Sequence, residues 1–170
     1  MLGFLFRGLT ASPARGSALF DAATAEARRP VWYVEAGVPD TLDGRFAVLA
    51  TVTAMTIVRL EQLGDDGTAL SVALTERFIE VMESEHRELG IGDPTLGKTV
   101  RKLVGSLSWR TDFIRNVVSH SGDWREAARD GLYKEEPVAG ALDAAAASLQ
   151  DTWTRLARCD VASLIEGKIR

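Results

Sequence analysis

Gly92-Asp93-Pro94-Thr95-Leu96-Gly97-Lys98-Thr99 satisfies the phosphate-binding pattern G-x-x-x-x-G-K-[ST], in which backbone N–H groups and a lysine cradle a nucleotide's phosphates. Such a loop works when a buried strand delivers it to a helix N-terminus. Here Phe78, Val81, Met82 and Leu89 recur at helical spacing with acids between them, so the match follows a helix. No apolar strand ending in an acid is available to hold magnesium opposite Thr99. The same residues read as a helix-loop-helix joint, with Gly90 and Gly92 supplying positive φ and Asp93 capping a helix that begins at Pro94.

A second candidate is Glu83-Ser84-Glu85-His86, whose Glu-x-x-His spacing puts a carboxylate and an imidazole on one helical face, as in dimetal carboxylate bundles. That centre needs two copies, and the other histidine, His120, has Val117 three residues before it. Glu76, Glu80, Glu83 and Arg87 read more simply as a solvated face with i,i+4 support. Cys159 has no His or Asn near it in sequence, and Ser119-His120-Ser121 lacks a nucleophile elbow. Asp40 and Asp43 are accounted for by helix capping. No catalytic residue, metal ligand or cofactor is expected.

The elements that would position these residues are helical. The 170 residues are 46% hydrophobic and 26% charged, enough for one substantial core without disulfide or metal. The five prolines fall between periodic segments. A first helix is predicted from Ser17, its cap, to Arg28, followed by a connector, Pro30 to Pro39, pinned to the core by Trp32 and Tyr33. Asp40 is expected to cap a second, central helix running to about Gln62. Gly64 to Gly67 reads as a turn, with Thr68 capping a third helix that ends at Gly90. A fourth helix runs to about Ser119, a short one follows Asp123 through Asp130, an alanine-rich one spans Val138 to Arg158, and Asp160 caps a last turn. The expected fold is an all-α single-domain bundle of six to seven helices without sheet, residues 17–170, preceded by an apolar segment, residues 1–16.

Net charge of −4 gives no general attraction to nucleic acid, and the longest charge-free apolar run, Ala47 to Val58, is too short to span a bilayer. Leu2, Phe4, Leu5 and Phe6 are too few for an export signal and read as a membrane-touching or core-tucked terminus. The single cysteine excludes an internal disulfide. Arg28, Arg29, Arg45, Arg59, Arg87 and Arg110 fall at helix ends and joints, where pairing with Asp40, Asp43, Glu88 and Asp93 would lock geometry. On that reading Arg45→Ala destabilises the fold.

Ala27-Arg28-Arg29-Pro30-Val31-Trp32-Tyr33 and Gly37-Val38-Pro39-Asp40-Thr41-Leu42-Asp43-Gly44-Arg45-Phe46 resemble the signature of the ubiquinol-cytochrome c chaperone family. Arg59-Leu60, Arg87-Glu88-Leu89-Gly90-Ile91-Gly92-Asp93 and Leu96-Gly97-Lys98-Thr99-Val100 look like its second block, and Arg110 like its later arginine. The resemblance covers Ala18 to Val117. It implies an all-helical, non-catalytic assembly factor that binds newly made cytochrome b and assists biogenesis of the bc1 complex. Mitochondrial relatives also work beside the ribosome with a small companion protein. This chain looks like a bacterial member, cytoplasmic and peripheral to the inner membrane. The resemblance gives structural roles to Arg28, Pro30, Trp32, Tyr33, Gly37, Asp40, Thr41, Gly44, Arg45, Phe46, Glu88, Gly92, Asp93 and Gly97. Basic residues flanking the glycine-rich joint, Arg59, Arg87, Lys98, Lys102 and Arg110, are the candidate client contacts. A small helical metal- or nucleotide-binding enzyme and a general helical interaction module with another client are the alternatives.

Overall fold

The structure is a computed structural model that describes residues 13–88, 93–120, 122–138 and 140–169. The helices are α1 (Pro13–Ala27), α2 (Val31–Val34), α3 (Leu42–Glu61), α4 (Gly64–Glu88), α5 (Asp93–Ser119), α6 (Trp124–Leu132), α7 (Ala141–Ala157) and α8 (Val161–Ile165). No strand occurs among the described residues, and the expected all-α bundle is what forms.

Helix α3 is the hub, in contact with α1, α4, α5, α6 and α7. Thr51 to Val58 form an unbroken buried run, as its all-round apolar pattern predicts. Two of its three threonines bond back into their own helix, the Thr51 and Thr56 hydroxyls donating to the Ala47 and Val52 carbonyls at 2.8 and 2.9 Å, while the buried Thr53 hydroxyl has no partner among the described residues. Phe78 of α4 is fully buried and joins three helices, meeting Phe20 of α1 edge-on at 6.5 Å and Phe46 of α3 at 6.1 Å.

Several helix starts differ from the sequence expectation. Helix α1 begins at Pro13 rather than Ser17, because proline suits the first helical position, where its missing N–H has no intrahelical partner to lose. The boundary at residue 16 therefore falls inside α1, and Leu2, Phe4, Leu5 and Phe6 lie outside the described residues. The Pro30–Pro39 connector contains a helical turn, α2. Thr41, not Asp40, caps α3, its hydroxyl accepting from the Gly44 N–H at 3.2 Å, while Asp40 turns outward to Arg45. Helix α4 starts at Gly64, whose φ of +77° makes the corner, so the Gly64–Gly67 turn is already helix. Thr68 lies inside α4, donating to the Gly64 carbonyl at 3.1 Å. The expected caps at Asp123 and Asp160 are present, accepting from the Arg125 and Ser163 N–H groups.

Gly44 marks where α3 is pressed against the connector, since a Cβ there would lie 1.9 Å from the Pro39 carbonyl oxygen. Gly97, by contrast, has open space around it inside α5, so no turn or close approach requires glycine there. Gly44→Ala is expected to lose roughly 1–3 kcal/mol through overpacking. Gly97→Ala should gain about 0.5–1 kcal/mol from helix propensity. Urea midpoints that moved equally for both variants would contradict this reading.

Candidate functional site

The first sequence motif builds a joint. Pro30 has no N–H to offer the Glu26 carbonyl four residues earlier, which instead accepts from the Arg29 N–H at 3.2 Å and from the Trp32 indole N–H at 2.9 Å. The Tyr33 hydroxyl donates to the Ala27 carbonyl at 2.8 Å, so two aromatic donors finish the end of α1. Trp32 is fully buried. Glu26, also buried, accepts from Thr152 at 3.0 Å, from Arg29 at 2.8 Å and from both terminal nitrogens of Arg155 on α7, at 2.5 and 3.1 Å. Burial pushes the Glu26 carboxyl up, but hydrogen bonds from Arg155 and Arg29 outweigh it and hold it below its ordinary value.

Further along, Gly37 takes φ of +62°, and the Tyr133 hydroxyl donates to the Ala36 carbonyl, tying the connector to the segment between α6 and α7. Burial drives the Tyr133 phenol up to about 12, so it remains a donor at any physiological pH. The arginine locks are fewer than expected. Arg45 pairs with Asp40 at 2.6 Å, but their side chains are 65% and 59% exposed, and a pair so solvated contributes little; the expected destabilisation by Arg45→Ala loses its basis. Asp43 pairs with Lys134 rather than an arginine. Arg28 and Glu88 are exposed and form no ion pair among the described residues. Gly92 lies outside those residues, as does the expected positive φ of Gly90; Asp93 is the first residue of α5.

The five candidate contact residues divide into two groups. Arg59 donates to the Cys159 carbonyl at 2.8 and 3.3 Å, holding the end of α3 to the α7–α8 corner. Arg110 reaches the Gly131 carbonyl at 2.9 Å, the Thr51 hydroxyl at 3.2 Å and the Ser106 carbonyl at 3.3 Å, and so joins α5, α6 and α3. Burial without a carboxylate partner lowers its pKa. Arg87, Lys98 and Lys102 are exposed; Arg87 pairs with Glu83 at 2.8 Å, and Lys98 and Lys102 share one face of α5 with exposed Arg101.

From Asp93 on the phosphate-loop pattern is wound into helix: Asp93 to Thr99 are the opening turns of α5 and not an extended loop. Glu83 is engaged by Arg87, and the His86 ring nitrogen Nδ1 lies 2.6 Å from the Met82 carbonyl. Among the described residues no group of three or more His, Cys, Asp or Glu side chains is placed to hold a metal.

Surface depressions lie beside these helices among the described residues. An open polar one of about 410 Å³ lies between α5 and the α6–α7 connector, with Trp109 and Tyr133 in its walls. Trp109 is 43% exposed yet held, stacked on Phe113 at 5.5 Å with the Arg110 guanidinium 5.5 Å from its ring centre. Another, about 250 Å³, lies among α3, α4 and α5 over Ile57, Ile79, Val104 and Leu107, and Arg115 closes its rim through bonds to Glu61 at 3.0 Å and Asp112 at 2.5 Å. These shapes suit contact with another macromolecule, through apolar side chains bordered by charge.

The sequence model of the ubiquinol-cytochrome C chaperone family matches residues 34–169. The chain belongs to that family. The matched stretch takes in α3 to α8, including the α7 and α8 region that the sequence resemblance did not reach, and starts just after the Trp32–Tyr33 motif. Among solved structures, the crystal structure of the Cbp3 homolog from Brucella abortus is similar over 99% of this chain and 95% of its own, with a TM-score of 0.76 and 24% identity. At that identity the likeness establishes the shared chaperone fold. No curated protein matches the chain.

Sequence reasoning missed two connections in this chaperone. The Glu26–Arg155 clasp joins residues 129 apart, and nothing local marks Glu26 as buried except its place at i+3 from Ala23 on the apolar face of α1. Tyr133 lies between the α6 and α7 predicted from the sequence, and a tyrosine flanked by Leu132 and charged residues is a fitting bridge between a core and its rim.

Proposed function

We propose that this chain is a non-catalytic assembly chaperone that binds newly made cytochrome b and assists biogenesis of the ubiquinol-cytochrome c reductase complex. The single observation carrying this reading is the family match across residues 34–169, which spans the whole bundle from α3 onward. The chaperone works at the cytoplasmic surface of the inner membrane, where its client is inserted. No described helix is long and apolar enough to cross a membrane, which supports peripheral contact. Lys98, Arg101 and Lys102, at i, i+3 and i+4 on exposed α5, give that contact a cationic face. Each such cation near an anionic bilayer contributes about 1 kcal/mol at moderate salt. Arg87 extends the exposed contact set, whereas Arg59 and Arg110 serve the client indirectly, by fixing the helices that carry the face.

Deletion of the gene tests this reading. Assembled reductase, quantified by native electrophoresis and reduced-haem spectra of membranes, should fall severely while other respiratory complexes persist, and a plasmid copy should restore it. Wild-type amounts of assembled reductase in the deletion strain would refute the proposal.

A further inference from the structure

Among the described residues, the three most exposed large apolar side chains are Val34 (79%), Val138 (75%) and Leu42 (63%). They lie in two connectors that meet at one end of the bundle: Val34 ends α2, Leu42 opens α3 and Val138 precedes α7. The connectors are held together by the Tyr133 hydroxyl on the Ala36 carbonyl and by Lys134 on Asp43 at 2.6 Å, and a Cβ on Gly37 would touch Ala141 at 3.5 Å. Isolated exposed apolar side chains need no explanation, but three at one fixed end mark an interaction surface. The 410 Å³ depression adjoins it through Tyr133 and Lys134, with the immobilised edge of Trp109 as an apolar wall.

Charge names the occupant. Most basic side chains at these connectors are matched, Arg45 by Asp40 at 2.6 Å, Lys134 by Asp43 at 2.6 Å and Arg129 by Glu136 at 3.9 Å, while exposed Arg28 forms no ion pair among the described residues. Glu35, Asp130 and Glu135 are exposed and form no ion pair among the described residues. Arg28 and Arg110 together offset two of these three at most, and the Arg110 guanidinium is turned inward onto the Gly131 and Ser106 carbonyls. The end of the bundle is therefore apolar with surplus acid, and its complement is apolar with surplus base.

We propose that this end docks an apolar segment flanked by lysine or arginine, with its apolar residues on Val34, Leu42 and Val138 and a basic side chain in the Trp109–Tyr133 depression beside Asp130 and Glu135. Membrane proteins carry that chemistry where a spanning helix meets its cytoplasmic loop, since basic residues concentrate on that side. The inference rests on the client reading above and names the part of a membrane-protein client that is held.

The test uses the full chain and a labelled synthetic peptide, a leucine-alanine stretch with three arginines at one end, beside the same peptide with citrulline for arginine. Binding is followed by fluorescence anisotropy at two salt concentrations. The arginine peptide should bind more tightly than the citrulline peptide and weaken as salt rises. The variant E35Q/D130N/E135Q, which alters only exposed residues, should lose about tenfold in affinity for the arginine peptide with an unchanged melting curve. Equal binding of both peptides, or an unaffected triple variant, overturns the proposal. Concentration-dependent dimerisation in sedimentation velocity that Leu42→Ser abolishes would assign the surface to a second copy and overturn it too. Cytochrome b captured equally by wild type and triple variant would sink this surface while leaving the client reading intact. Charge-dependent peptide binding without cytochrome b capture would do the reverse.

Discussion

Trp32→Ala is expected to cost about 3–5 kcal/mol of folding stability, the range for truncating a fully buried aromatic side chain. Two losses combine. The indole leaves a cavity where α1 meets α2, and the Glu26 carbonyl loses the indole N–H and keeps only the Arg29 N–H at 3.2 Å. Trp32→Phe separates them: it keeps most of the ring and removes only the donor, so about 0.5–1.5 kcal/mol is expected, because the Arg29 N–H still serves the Glu26 carbonyl. Against a typical total of roughly 5–15 kcal/mol, the alanine variant would be partly unfolded at growth temperature. Equilibrium urea unfolding followed by circular dichroism measures both variants. A loss below about 1 kcal/mol for Trp32→Ala would show that the connector is not fastened through this residue.

The second large effect lies next to it. Glu26→Gln keeps the shape of the side chain but removes the negative charge that Arg155 and Arg29 share, and about 3 kcal/mol is expected, the lower end for breaking a buried ion pair. The lower end applies because the Arg155 side chain is 22% exposed and regains some water. The same carboxylate makes stability depend on acid. Its folded pKa lies below the ordinary glutamate value of 4.5, so the unfolded chain binds the proton more readily there. The clasp's contribution is present in full above pH 4.5 and is lost as pH falls through the lower folded value. Wild type should therefore lose more stability than Glu26→Gln between neutral pH and acid, and the two should converge. Parallel pH profiles for the two proteins would rule out the clasp as an ion pair. Glu26→Leu combined with Arg155→Met should recover much of the lost stability, since an apolar pair of similar volume strands no charge.

Periodicity and local chemistry made much of this fold legible. The unbroken burial of Thr51 to Val58, the corner near Gly64 and the caps at Asp123 and Asp160 follow from helical spacing and short-range hydrogen bonding. The phosphate-loop match was legible as an accident because its context was helical, and α5 bears that out from Asp93 onward. Where two neighbouring residues could both cap, as Asp40 and Thr41 could, propensity does not choose. Arg45, five residues from Asp40, draws the acid away and leaves the threonine. The arginines were least legible. Arg59 and Arg110 read as exposed contacts, yet their partners are carbonyls 100 and 21 residues away, and no local spacing encodes a bond to a distant backbone oxygen. The proposed docking end was hidden for the same reason, since the connectors beside Val34, Leu42 and Val138 are joined through Tyr133 and Lys134.

The most direct test is capture of newly made cytochrome b. Cells carrying a tagged copy of this chain are pulse-labelled, their membranes solubilised mildly and the tagged protein recovered at successive chase times. Labelled cytochrome b should be enriched with the tagged chain at the start of the chase and should leave it as assembled reductase accumulates. Cytochrome b that never appears with the tagged chain while reductase assembles at its usual rate would contradict the chaperone role.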